Sequence, residues 1–166
     1  EVTVPQPGRL KLTILSAKPV PPAPAMVRLI WKNDGADRKP SNALEFVPQM
    51  DDVGGLDYSK GTSGPFSGRF HANLPGRLEG YYWCVPEPFE MALAPGEWEI
   101  TVRRGVEWIP IVDTFTIESG KALEKTYHLK RWVDMRQLRW YSGDDHVHCQ
   151  ILSDIDAKKI MTWAQA

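Results

Sequence analysis

Asp144, His146 and His148 stand two residues apart in Tyr141-Ser142-Gly143-Asp144-Asp145-His146-Val147-His148-Cys149, a spacing that could build part of a metal site. In an extended chain, side chains two apart share a face. One carboxylate and two imidazoles would then converge while Asp145, Val147 and Cys149 face the other way. Neutral imidazole and carboxylate suit a divalent metal such as zinc, manganese or ferrous iron. Such a metal polarises a phosphoryl or carbonyl oxygen and lowers the pKa of a bound water, and each imidazole then needs an acceptor for its other N–H. Only residues 149–166 follow the motif, whereas a hydrolytic centre gathers ligands from several strands. The sequence therefore predicts a metal motif that is catalytically incomplete in this chain, with its site able to stay unoccupied. The bland alternative is a polar, solvent-facing strand that holds no metal.

The elements that would carry this motif are mostly strands. Leu10, Leu12 and Ile14 alternate on one face of Arg9 to Leu15, as a half-buried strand requires. The proline patch Pro19 to Pro24 excludes helix and central strand. Met26 to Trp31 resumes the pattern until Asn33-Asp34-Gly35 supplies a turn. Ala43 to Val47 is a short strand candidate, Gln49 to Pro65 a long polar loop, and Phe66 to Leu74 another strand. Leu78 to Val85, Phe89 to Leu93, Trp98 to Val102, Ile111 to Ile117 and Leu123 to Trp132 complete about seven to nine strands punctuated by Gly and Pro, the signature of an antiparallel sandwich. From Asp134 the character changes. Trp140 to Cys149 reads as a strand and Ser153 to Ala166 as a helix, with Ser153 as N-cap, Asp154 and Asp156 in the first turn, and Ala157, Ile160, Met161 and Ala164 on one apolar face. The expected class is all-β: an antiparallel sandwich over 9–133 and a C-terminal strand-helix appendage over 134–166.

Composition bounds what else the chain can do. With 166 residues, 42% hydrophobic and 25% charged, it can bury a sizeable core. A formal net charge of -1 argues against a general nucleic-acid surface, and the apolar runs fall short of the roughly 20 residues that span a bilayer, so neither nucleic acid nor membrane is an expected partner. The 2 cysteines, Cys84 and Cys149, form no framework, although one bridge between them stays open. The proline-rich start at Glu1 resembles the mature end left after leader removal or an artificial boundary, and points to a secreted or periplasmic location.

At Trp140 to His148 the chain resembles the polymerase-and-histidinol-phosphatase superfamily of metal-dependent hydrolases, most closely members in which Gly-Asp-x-His-x-His follows a β-sandwich. That resemblance implies a distorted β/α barrel whose first strand carries the motif, His146 and His148 as metal ligands, and Asp144 as the first acidic residue of the same cluster. Asp145 departs from the apolar residue usual there. Pro95-Gly96-Glu97-Trp98-Glu99-Ile100-Thr101-Val102-Arg103-Arg104-Gly105 is similar to the turn and strand of prealbumin-like carboxypeptidase regulatory modules. Together they imply an accessory sandwich plus the first piece of a phosphoesterase-like hydrolase, whose remaining domain is the expected partner. Homodimerisation through the C-terminal tail is a second expected association.

A competing reading comes from the aromatics. Tyr81, Tyr82, Trp83, Trp98 and Trp108 would allow a carbohydrate- or protein-binding sandwich, with Trp98 on the apolar face of its strand and at least one ring of Tyr81-Tyr82-Trp83 outward. Exposed adjacent rings beside a groove would favour binding. Buried rings would favour a plain accessory domain. Arg103, Arg104, Glu107 and Arg131 read as a solvated charged surface, and His71 and His128 as structural.

Overall fold

Seven strands, a short 3-10 turn and one helix make up the computed structural model, which describes residues 4–16, 22–44, 82–143 and 154–166. The strands are β1 (Gly8–Leu15), β2 (Ala25–Trp31), β3 (Trp83–Val85), β4 (Phe89–Leu93), β5 (Gly96–Arg103), β6 (Ile111–Ile117) and β7 (Ala122–His128). One sheet has the order β4-β1-β7 and the other β3-β2-β5-β6. The period-two patterns place Leu10, Leu12 and Ile14 of β1, Val27 and Leu29 of β2, and Trp98, Ile100 and Val102 of β5 in a single buried core. Removing each such side chain from water contributes about 1.5–3 kcal/mol, and Trp98 also keeps its indole N–H satisfied on the Ala94 carbonyl at 2.9 Å. The all-β sandwich expected from the alternation is the observed class.

Three local differences have identifiable causes. First, β1 and β7 run parallel, in register from Arg9↔Ala122 to Leu15↔His128. A parallel pair needs a long connection, and here most of the chain lies between the partners, so nothing in adjacent sequence signals it. Second, β7 ends at His128 instead of reaching Trp132, because its partner β1 ends at Leu15: the last ladder bond runs from Leu129 N–H to the Leu15 carbonyl at 2.7 Å. Arg131 then makes only an isolated bridge with Trp108. Third, Trp140 to Gly143 are not strand. Residues Met135–Leu138 form a 3-10 turn capped by Asp134, Arg139 closes it with φ 60, and Trp140 donates to the Met135 carbonyl at 3.0 Å, so the backbone there is used in a cap rather than a ladder.

The edges of the two sheets are joined by side chains. Asp113 on β6 accepts from Lys125 Nζ and from Tyr127 Oη on β7, each at 2.8 Å. At the other side, residues 41–44 run along β3 and β4: Ser41 donates to the Glu90 carbonyl, Asn42 to the Glu87 carbonyl and Leu44 N–H to the Cys84 carbonyl. Cys84 is a free, buried thiol whose pKa burial pushes up to about 12.

Helix α1 spans Asp154–Gln165 with Asp154 and Asp156 in its first turn, as expected. Its covered face runs through Ile160 and Trp163 to the buried Ala166, while Met161 and Ala164 are exposed. The rotation follows from how the helix end docks. Arg104 Nε donates to the Gln165 carbonyl and Gly105 N–H to the Ala166 carbonyl, both at 2.9 Å. These donors satisfy carbonyls that a helix C-terminus leaves unpaired, and the arginine charge complements the negative end of the helix dipole. No helix among the described residues is long and apolar enough to cross a membrane.

Candidate functional site

The turn after β5 and the segment after β7 meet at one corner of the sandwich. The backbone fixes the meeting: Ile109 N–H donates to the Lys130 carbonyl at 2.9 Å and Trp132 N–H to the Glu107 carbonyl at 3.0 Å, so 107–109 and 130–132 pair side by side. Trp132 also donates its indole N–H to the Val106 carbonyl at 2.8 Å. Trp108 is thereby set beneath two guanidiniums, Arg131 at 4.5 Å and Arg104 at 5.2 Å from the ring, a cation–π arrangement that orders both forks.

Charge at this corner is unevenly matched. Arg131 pairs with Glu107 and, at 3.2 Å, with Asp134. Asp134 also caps the 3-10 turn and accepts from Arg136 Nε at 3.2 Å. The hydrogen bond from Arg136, helped by the charge of Arg131, holds its carboxyl below the usual carboxylate range. Arg104 has no carboxylate partner among the described residues. Burial, and then the positive charge of Arg131, lower its pKa, although an arginine so placed stays protonated at neutral pH.

These side chains border a cleft of about 720 Å³ lined by Ser16, Arg104, Trp108, Leu129, Lys130 and Arg136 among others. The two segments that supply the cleft also carry exposed apolar side chains: Trp132 at 67%, Trp140 at 66%, Tyr141 at 78%, Leu138 at 59% and Val106 at 85%. Tyr141 lies within electrostatic range of the Arg136 guanidinium, which ties the end of this segment to the cleft. Exposed apolar side chains and a cationic recess are thus supplied by the same two segments.

Of the aromatics singled out from sequence, Trp108 sits at this corner, under Arg131 and Arg104. Asp144, His146 and His148 lie outside the described residues, as do Tyr81, His71 and Cys149. Among the described residues no group of three His, Cys, Asp or Glu side chains could hold a metal ion. Trp98 is buried as expected. Tyr82 and Trp83 are half-buried, with Arg103 4.8 Å and Lys39 5.4 Å from their rings. Among the described residues the large exposed rings are instead Trp132, Trp140 and Tyr141, which sequence reasoning did not select for binding. Arg104, Glu107 and Arg131, expected on a solvated surface, form a half-buried cluster. The available signal was the interleaving of tryptophan with charge in both Arg103-Arg104-Gly105-Val106-Glu107-Trp108 and Lys130-Arg131-Trp132-Val133-Asp134.

No family model matches the chain, and no curated protein does. A solved structure, GBS52, the minor pilin of Streptococcus agalactiae, superposes with a TM-score of 0.43 at 14% identity, covering 79% of this chain and 47% of that one. A likeness this distant transfers no function, and this chain spans about half the length of that protein. The resemblance to the polymerase-and-histidinol-phosphatase hydrolases is corrected by the absence of any matching family model. The chain is a β-sandwich module.

Proposed function

We propose that this chain is a recognition module that binds a protein partner through the corner formed by 104–109 and 129–141. The observation that carries this reading is the exposure of Trp132, Leu138, Trp140, Tyr141 and Val106 on the same two segments that line a cationic cleft. Tryptophan, tyrosine and arginine are the residues enriched where binding energy concentrates in protein interfaces. Carbohydrate binding is the second reading, because exposed indoles also stack on sugar rings. The exposed aliphatic Val106 and Leu138 on the same segments favour a protein, since they offer burial without a flat stacking face.

A phage-displayed random peptide library and a glycan array, both probed with the intact chain, test the two readings. Selected peptides should bind the chain at least about tenfold more weakly after Trp132→Ala/Trp140→Ala, the effect of losing one to two interface anchors, while the thermal midpoint falls only by the few degrees that the lost Trp132–Val106 hydrogen bond implies. Peptide binders indifferent to that double substitution would defeat the reading. Glycan binding alone, lost in the same variant, would replace it with carbohydrate recognition.

A further inference from the structure

We propose that the cleft at Arg104, Lys130 and Ser16 is a carboxylate subsite, which holds an acidic side chain or the terminal carboxylate of the partner protein; the partner itself rests on the preceding reading. The inference starts from an imbalance of charge. Four cationic side chains, Arg104, Lys130, Arg131 and Arg136, line the cleft with one acid, Asp134. Asp134 is engaged by Arg131 and Arg136, and Glu107 by Arg131. Arg104 and Lys130 have no acidic partner among the described residues, so two positive charges face the recess unmatched.

Arg104 is also prepared for a ligand. Its Nε is held by the Gln165 carbonyl at 2.9 Å and its plane lies over Trp108, while its two terminal nitrogens have no hydrogen-bond partner among the described residues. A planar fork fixed in this way meets a carboxylate with paired N–H···O bonds, and the ordering cost has already been met by the fold. Ser16 adds a hydroxyl from a residue only 8% exposed, which also lacks a hydrogen-bond partner among the described residues. Leu129, 3% exposed, gives the recess an apolar wall that strengthens charge interactions by excluding water. Burial costs Arg104 solvation and Arg131 stands close enough to repel it, so a carboxylate bound there would relieve both. A single charge suits the site better than a phosphate dianion, because Asp134 shares the same recess.

The test uses small blocked probes with the intact, isotope-labelled chain. N-acetylglutamate amide presents an acidic side chain and N-acetylalanine a terminal carboxylate; N-acetylglutamine amide and N-acetylalanine amide are their neutral counterparts, with inorganic phosphate and chloride as anion controls. The Arg104 Nε–Hε and Trp108 indole NMR signals should shift saturably with one or both acids and at least about tenfold more weakly with the amides, the loss expected when a charge-assisted hydrogen bond is removed. The stronger acid distinguishes a side chain from a chain terminus. Arg104→Gln should abolish the response. Lys130→Gln, at an exposed position that leaves the fold intact, should weaken it several-fold, whereas Lys11→Gln on the distant face of β1 should leave it unchanged.

No saturable shift with either acid would overturn the subsite, as would an equal response to phosphate and chloride or a response indifferent to both Arg104→Gln and Lys130→Gln. Failure of the partner reading is separable from failure of the subsite. Acid binding without any peptide binder keeps the subsite and removes the protein partner. Peptide binders that ignore Arg104→Gln and Lys130→Gln keep the partner and remove the subsite.

Discussion

Replacing Gly96 by alanine tests the packing that fixes the start of β5, and the cost can be worked from two independent terms. The backbone there has φ +132, a region open to glycine and sparsely occupied by other residues, which costs about 1–3 kcal/mol. A Cβ at this position would also lie 2.9 Å from Trp31 Nε1. That indole cannot swing away freely, because it stacks on Trp98 with ring centroids 6.2 Å apart, and Trp98 is 1% exposed. Overpacking of this kind costs about 1–3 kcal/mol. The sum centres on about 4 kcal/mol, or a fall of roughly 10 °C in thermal midpoint for a domain of this size. Gly35→Ala is the control: its φ is +68 and no atom lies within 4 Å of its Cβ, so only the left-handed penalty of about 1–2 kcal/mol applies. Thermal unfolding followed by far-UV circular dichroism, with the near-UV signal reporting the Trp31–Trp98 stack, measures both variants. A Gly96→Ala midpoint no lower than that of Gly35→Ala would show that the Trp31 contact yields without cost and would refute the reasoning.

Two other expectations concern the sheet edges and the histidine motif. Lys125, then Tyr127, hold Asp113 below its ordinary pKa. A depressed carboxylate pKa contributes stability that is present above the unfolded value of about 3.9 and lost as pH falls through the folded value. The stability gap between the chain and Asp113→Asn should therefore shrink in urea titrations between about pH 5 and pH 2, and a constant gap would contradict the clip; Tyr127→Phe should cost about 1 kcal/mol at pH 7 through the lost hydroxyl donor. Asp144, His146 and His148 are proposed, from their spacing, to bind zinc or manganese through neutral imidazole and carboxylate. Calorimetry should give stoichiometric binding that His146→Ala/His148→Ala removes, and equal titrations for the two proteins would dismiss the metal motif.

The strands were legible where one face of the chain is buried and the next residue is wet. Leu10, Leu12 and Ile14 in β1, and Trp98, Ile100 and Val102 in β5, show this period directly and occupy the core. The Pro95-Gly96 turn was legible because few residues other than glycine tolerate φ +132. The recognition corner was not legible as a site. Arg104, Trp108, Lys130 and Arg131 come from two segments more than twenty positions apart in sequence, and each alone looks like ordinary surface. Their meaning arises when Trp108 bridges to Arg131 and the charges are seen to be unequally paired.

By itself, then, the sequence determined the local conformations, because period-two burial, proline, glycine and first-turn carboxylates act over a few residues. It also determined that a core could form, through the number of apolar side chains available to it. Only the tertiary structure decided that β1 lies parallel to β7, that the α1 C-terminus takes its donors from Arg104 and Gly105, and that Arg104 lines a cleft with no carboxylate partner of its own among the described residues. Those outcomes depend on which distant groups approach within hydrogen-bonding or Coulombic range, a quantity set by how the layers pack and not by any stretch of adjacent residues.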